Sequence, residues 1–293
     1  MRYQFDWVDA FTDKAFGGNG CAVVHDAGAL DAETCMAFTR ETGLVECTFL
    51  EPSDVADVRI RYFLARSEIP FAGHPTVASI AAMVDRGQVG EGAMSVETMA
   101  GIVPIEIRVD DGVPVVTMTQ IAPVFGAELD RGLVAAVAGL DAKDVIAPPQ
   151  VVSTGLPFVI TVLRDHDALR RAVLDVNALK TLQKASGEAL ADVMEPFWVT
   201  LDGATNVGDT FSRLLLAPPS PSEDPFTGSA TGAMASYLWS RGMIETPSFV
   251  AEQGHWMGRP GQAEVAVLGS SDAISGVRVG GPGFVLMRGE VDL

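Results

Sequence analysis

A chain of 293 residues, 48% hydrophobic and 20% charged, has the composition of a soluble globular protein long enough for two cores of ordinary size, not of a disordered one. Its net charge of −18 and its scattered basic residues, such as Lys143, Lys180 and Lys184, argue against a nucleic-acid partner, because phosphate binding needs clustered cations. No apolar run reaches membrane-spanning length and Met1–Asp6 lacks the apolar core of a signal segment, so no membrane partner and a cytoplasmic location are expected.

In chain order, residues 3–11 and 21–25 read as strands joined by the turn Phe16-Gly17-Gly18-Asn19-Gly20, and 32–42 as a short helix. Leu44 to Leu50 has strand period, with Val45, Cys47 and Phe49 on one face and Glu46 and Thr48 on the other. Arg59 to Phe63 continues as a strand, and 94–120 gives two or three more, broken at Gly101 and at Asp111-Gly112. Pro148-Pro149 marks a linker region, after which Val151 to Val159 begins further strands. Leu214 to Ala217 is another strand, and Val277 to Met287 reads as a strand pair.

One segment occurs twice. Ser67-Glu68-Ile69-Pro70-Phe71-Ala72-Gly73-His74-Pro75-Thr76 returns 155 residues later as Ser222-Glu223-Asp224-Pro225-Phe226-Thr227-Gly228-Ser229-Ala230-Thr231. The register holds through Arg86-Gly87 and Arg241-Gly242, so the chain consists of two similar halves. Each copy opens a helix that is apolar or small on most of its circumference and is expected to be buried all round. Many short strands beside such a helix imply a sheet wrapped around it, once per half.

Gly73-His74 and Gly228-Ser229 are the first candidates for chemistry. A glycine ahead of a helix either permits tight helix entry or lets backbone N–H groups grip an anion such as a carboxylate. The duplication favours the second use, with one site between the halves. His74 is either a structural histidine or, at the positive end of a helix dipole, a neutral imidazole of lowered pKa. Glu46 is bland if its face is solvated, and a general acid/base if that face lines a cleft. With the apolar face of its strand packed on the central helix, Glu46 points the other way, towards that cleft. Asp209 precedes a strand, where aspartate commonly serves local hydrogen bonding. Cys21, Cys35 and Cys47 form no CxxC pair, Cys21 and His25 lack a second ligand pair, and no metal site is expected.

Together these residues resemble the PhzF (phenazine-biosynthesis-like) family, which shares the fold of diaminopimelate epimerase. The likeness runs through Val8-Asp9-Ala10-Phe11-Thr12, Phe16-Gly17-Gly18-Asn19, Glu46-Cys47-Thr48-Phe49, both repeat copies, Ser153-Thr154-Gly155-Leu156-Pro157-Phe158 and Gln253-Gly254-His255-Trp256-Met257-Gly258-Arg259-Pro260. It implies an α+β fold of two pseudo-symmetric domains, each a barrel-like sheet around a central helix. The domains are expected at 1–120, with 283–293 returning, and at 121–282. The resemblance also implies no cofactor and a cytoplasmic, biosynthetic isomerase, with a homodimer as the candidate assembly. Glu46 takes the acid/base role, His74 and Asp209 join it as catalytic residues, and Asn19, Gly73, Gly155, Thr227, Gly228 and Ser229 bind substrate. His74 and Ser229 stand near the positions of the epimerase relatives' two cysteines, which disfavours two-thiol racemisation. Val45 and Gly20 replace the family's usual Ser and Pro. The expected reaction is a proton shift on a small anionic carboxylic acid; the alternatives are an epimerase or racemase and a non-catalytic small-acid binding protein.

Overall fold

The computed structural model describes every residue except Asp192 and Pro219. The chain forms two compact units, Met1–Thr119 with Gly258–Ala263 and Val279–Leu293, and Gln120–Met257 with Glu264–Arg278. The first begins with β1 (Arg2–Ala10), β2 (Asn19–Val24), α1 (Ala32–Thr42), β3 (Cys47–Glu51), β4 (Val58–Phe63), β5 (Glu68–Ile69), α2 (Gly73–Asp85), β6 (Gly92–Thr98), β7 (Gly101–Asp110) and β8 (Val113–Gln120). There follow β9 (Val124–Glu128), α3 (Arg131–Val137), β10 (Gln150–Ser153), β11 (Pro157–Val162), α4 (His166–Arg171), α5 (Val176–Ser186), β12 (Met194–Thr200), β13 (Thr210–Leu215), β14 (Glu223–Asp224), α6 (Gly228–Ser240), β15 (Ser248–Gln253), β16 (Gly261–Ser270) and β17 (Ala273–Asp292). No helix among the described residues is long and apolar enough to cross a membrane.

In the first unit the strands close into a barrel in the order β1, β2, β3, β4, β6, β7, β8, β17. Its axis is filled by α2, buried from Gly73 to Met83. A helix enclosed on every side must be apolar or small all round. Val77 and Ile80 supply volume, each contributing about 1.5–3 kcal/mol by burial, while Ala78, Ala81 and Ala82 let strands come close. Approach is tightest at Gly283 in β17, where an added Cβ would lie 2.4 Å from the Ala81 Cβ. The outer face of the barrel is covered by α1, whose Cys35 and Phe38 pack with Ala22, Cys47, Phe49 and Phe63.

The second unit repeats the device. Its sheet runs β9, β10, β11, β12, β13, β15 beside a buried α6. Its other face carries α3, α4 and α5 over a core with Trp198, Phe211 and Leu215. The repeat is kept in structure as in sequence: α6 begins and ends 155 residues after α2. Thr76 and Thr231 each donate from Oγ1 back to the residue four before, Ala72 O at 2.7 Å and Thr227 O at 2.9 Å. Arg61 grips Glu68, and Arg213 grips Glu223, each with two hydrogen bonds. At the helix C-termini, where cations are favoured, Arg86 forks onto buried Asp6 and Arg241 reaches Glu128 and Gln150.

Several expectations need revision. Three helices, α3, α4 and α5, lie where the sequence assigns no element; α3 and α4 are only 7 and 6 residues long. Strand β13 begins at Thr210, ahead of the expected Leu214, and β3 begins at Cys47 and not Leu44. The Val277–Met287 segment is part of one continuous strand and not a pair, since its glycines admit neighbouring side chains instead of turning the chain. Pro148-Pro149 lies inside the second unit, where Pro148 O accepts from Tyr237 and Pro149 O from Leu129 N. Residues 258–263 and 279–282 sit in the first unit, tied by Gly18 N to Pro260 O, Gln262 N to Phe11 O and Thr12 N to Pro282 O.

The face of β3 is the reverse of that expected. Cys47 and Phe49 turn outward to α1, while Thr48 on the opposite face meets the central helix, its Oγ1 2.8 Å from Ser79 Oγ.

At Gly232 in α6 an added Cβ would lie 1.9 Å from Oε1 of Gln120, a buried side chain held in place by hydrogen bonds to Gly228 O and Thr154 Oγ1. Gly232→Ala is therefore expected to destabilise the protein by about 1–3 kcal/mol in chemical denaturation. Gly90→Ala, which meets nothing within 4 Å, is expected to leave the midpoint nearly unchanged.

Candidate functional site

Helix starts in this chain are of two kinds. The helices on the outer faces, α1, α3, α4 and α5, are capped by Asp31, Asp130, Asp165 and Asp175, whose carboxylates accept from first-turn N–H groups. The two central helices have no side-chain cap. Their N-cap residues are Ala72 and Thr227, and the Thr227 hydroxyl is turned instead to Asp224 Oδ2 at 2.5 Å. Both starts are buried. An uncapped start leaves N–H donors and the positive end of the helix dipole directed at whatever occupies the space before it.

In the first unit, three expected residues converge on the start of α2. His74, the second residue of the helix, is 5% exposed. Its Nδ1 lies 3.2 Å from Asn19 Nδ2 at the start of β2 and 3.6 Å from Glu46 Oε2. An amide nitrogen only donates, so Nδ1 accepts, and the proton of the neutral ring sits on Nε2. Nε2 is buried and has no hydrogen-bond partner among the described residues. Burial pushes the His74 pKa down to about 3. Desolvation is thus the cause of a shift that the sequence reading assigned to the helix dipole, and the contact with Glu46 is a polar contact and not an ion pair.

Glu46 directly precedes β3, its side chain 14% exposed. It shares the inward direction of Thr48, and for that reason reaches the start of α2. The charge is set among Cys21, Cys47 and Tyr62, whose pKa values it helps to raise after desolvation, the larger cause. All three thiols are buried and have raised pKa values, Cys35 reaching about 12 through burial, which makes them poor nucleophiles.

In the second unit, Thr227, Gly228 and Ser229 form the start of α6. Gln253 holds the preceding loop, accepting from Thr227 N at 3.1 Å and donating to Asp224 O at 2.8 Å. Gln120 donates to Gly228 O at 2.9 Å and accepts from Thr154 Oγ1 at 2.5 Å. Gly155 follows Thr154 on an exposed turn with φ of 141°. The Asp209 carboxylate accepts from Val250 N at 2.8 Å, while its own N–H donates to Val250 O. That is the local bonding typical of aspartate at a strand entry.

Asp224, Gln120 and Gln253 also hold the start of α6, beyond the residues that the sequence singles out. Asp224 is 5% exposed and sits beside the start of α6. The repeat carried a signal for it: where one copy has Ile69, the other has a carboxylate. Nothing local marks Gln120, which is distant in sequence from the helix it contacts.

Against known proteins, a family model described as phenazine biosynthesis-like protein matches residues 8–289. An uncharacterised isomerase of Bacillus subtilis, YfhB, is 31% identical over 266 residues, covering 88% of each chain. The crystal structure of a phenazine biosynthesis protein of the PhzF family from Bacillus anthracis superposes with a TM-score of 0.88 at 27% identity, covering 100% of both chains. The structure of a predicted epimerase from Pseudomonas aeruginosa gives 0.82 at 31% identity, covering 99% of each.

With a folded pKa near 3, His74 stays neutral from about pH 5 to about pH 8, and its ring carbon and nitrogen NMR shifts are expected to show no titration there. In the unfolded chain the ring takes up a proton below about pH 6.5. The unfolded state then binds more protons, so this group makes stability fall as pH drops from about 6.5 towards 3. A His74 signal titrating near 6.5 in the folded protein would contradict the assignment.

Proposed function

The chain belongs to the phenazine biosynthesis-like family, several of whose curated relatives are named uncharacterised isomerases, and on that premise we propose that it is a cofactor-independent isomerase moving a proton on a small carboxylic acid. The observation that carries the reading is the Glu46 carboxylate 3.6 Å from a neutral, buried imidazole at the uncapped start of a central helix.

Each part has a task. The N–H donors at the start of α2 hold the substrate carboxylate, which the overall charge of −18 would otherwise repel. Glu46 removes a proton from a carbon acidified by that carboxylate. The electron pair of the broken C–H bond moves into the conjugated acid, and the N–H donors and the His74 Nε2–H stabilise the negative charge as it develops. The same Glu46, now protonated, returns the proton at another carbon, so nothing is gained or lost overall. In the second unit, Gly155, Thr227, Gly228 and Ser229 keep the substrate-binding role that the resemblance gives them.

A second reading, return of the proton to the opposite face of the same carbon, would make the protein an epimerase, the activity predicted for the Pseudomonas relative. It requires a second acid/base group. The resemblance gives Asp209 a catalytic role.

The test is incubation with candidate unsaturated and cyclic acids in deuterated water. Label entering carbon, with a shifted double bond, supports the isomerase; label with inverted configuration supports the epimerase; no label with any acid that binds leaves only a binding protein. Glu46→Gln is expected to lower turnover by about 10²–10⁴ while ligand binding survives, and near-normal turnover would remove Glu46 from the mechanism. Asp209→Asn under the same assay tests that role: unchanged turnover would remove Asp209 from the mechanism.

A further inference from the structure

The segment Gly258-Arg259-Pro260 closes on the loop that delivers Asn19. Arg259 donates from Nε to Gly18 O at 2.9 Å, and from Nη2 to Gly17 O and to Asp9 Oδ1, both at 2.7 Å. The other Asp9 oxygen accepts from Phe16 N at 2.8 Å, and Gly18 N donates to Pro260 O at 2.9 Å. Asp9 is fully buried. It sits on β1 opposite Gly20, one ladder position from the Ala10–Asn19 pair.

The loop so held is under strain. Phe11 and Phe16 have φ of 64° and 68°, in the left-handed region that non-glycine residues seldom enter. At Gly18, with φ of 48°, a Cβ would stand 1.9 Å from Ala10 O. The conformations of Phe11 and Phe16, costing roughly 1–3 kcal/mol each, persist only where the surroundings over-determine them, and Gly18 is the residue type that its position requires. The Asp9–Arg259 pair supplies that determination.

The reason the loop must be held lies at His74. Two groups compete for the character of Nδ1. The Asn19 amide needs Nδ1 as an acceptor, whereas the Glu46 carboxylate at 3.6 Å favours a proton on it. The buried Nε2 has no partner among the described residues to settle the choice. The tautomer therefore depends on where Asn19 stands.

We propose that Asp9 and Arg259 are positioning residues that, through the Gly17–Asn19 loop, lock His74 in its Nε2–H tautomer and so keep its Nδ1–H from hydrogen-bonding to Glu46. Without the clamp, Asn19 withdraws, the proton moves to Nδ1, and the imidazole donates to the carboxylate that the proposed reaction needs as a base. The consequence for catalysis rests on the functional reading above, but the tautomer itself is measured without substrate.

The test is ¹⁵N NMR of the histidine rings in the full chain at neutral pH. In the wild type, His74 is expected to show an unprotonated Nδ1 and a protonated Nε2. Arg259→Lys keeps a cation for Asp9 but cannot fork across three acceptors. It is expected to raise the Nδ1–H form to about ten per cent or more, and Arg259→Met to raise it further. Arg86→Met, which breaks the forked pair with Asp6 beyond the other end of α2, is the control. It is expected to lower stability and leave the His74 tautomer as in the wild type. If Arg259→Met does not fold, Arg259→Lys decides. A folded Arg259→Lys protein with the wild-type tautomer would overturn the proposal, as would an equal change in Arg86→Met. Because no turnover is measured, this result stands or falls separately from the outcome for Glu46→Gln.

Discussion

The governing constraint is a helix enclosed on all sides whose first turn has no side-chain cap. Enclosure dictates the composition of α2 and α6: small or apolar residues at nearly every position, with threonine hydroxyls turned back onto helix carbonyls. It also dictates the sheet, because only a closed or strongly curved set of strands can cover a helix all round. In the first unit that closure is complete. The lack of a cap makes an enclosed helix useful. A buried N-terminus with unclaimed donors is unfavourable on its own, and it becomes favourable when an anion fills the place that aspartate takes on the four outer helices.

Burial also sets the chemistry of the side chains at that end. A histidine that cannot ionise is a fixed hydrogen-bonding group and not a charge. Beside it stands the Glu46 carboxyl group, 3.6 Å from His74 Nδ1. In a medium of low dielectric constant, a neutral imidazole can alter that carboxylate by offering or withholding one proton. Arg259 is bonded to the loop that carries Asn19 through Gly17 O and Gly18 O.

The duplication keeps the frame and varies the contents. Both halves retain the buried helix, the forked Arg–Glu pair beside it and an arginine at its C-terminus. What differs is the side chain at each helix start, His74 against Ser229, and the residue two before the repeated Phe, Ile69 against Asp224. One half thus brings an imidazole and the other a hydroxyl and a buried carboxylate to equivalent places in their own units.

Local pattern was enough to define the two halves, the 155-residue register and the place of both central helices, because a buried helix needs an apolar pattern that nothing else imitates. The helix over 32–42 and the strand before the turn at Phe16 to Gly20 were legible for the same reason: their signals are local. The repeat and the family resemblance also singled out Asn19, Glu46 and His74. Which way Glu46 faces was settled only by packing. Period two shows that Glu46 and Cys47 point oppositely, but not which side holds the central helix, and α1 claims the Cys47 face. Only the fold revealed Gln120 beside Gly228 and Arg259 beside Gly17, since partners 108 and 242 residues apart leave no mark on either local pattern. The lowered pKa of His74 likewise belongs to the fold, because desolvation depends on what the rest of the chain packs around the ring.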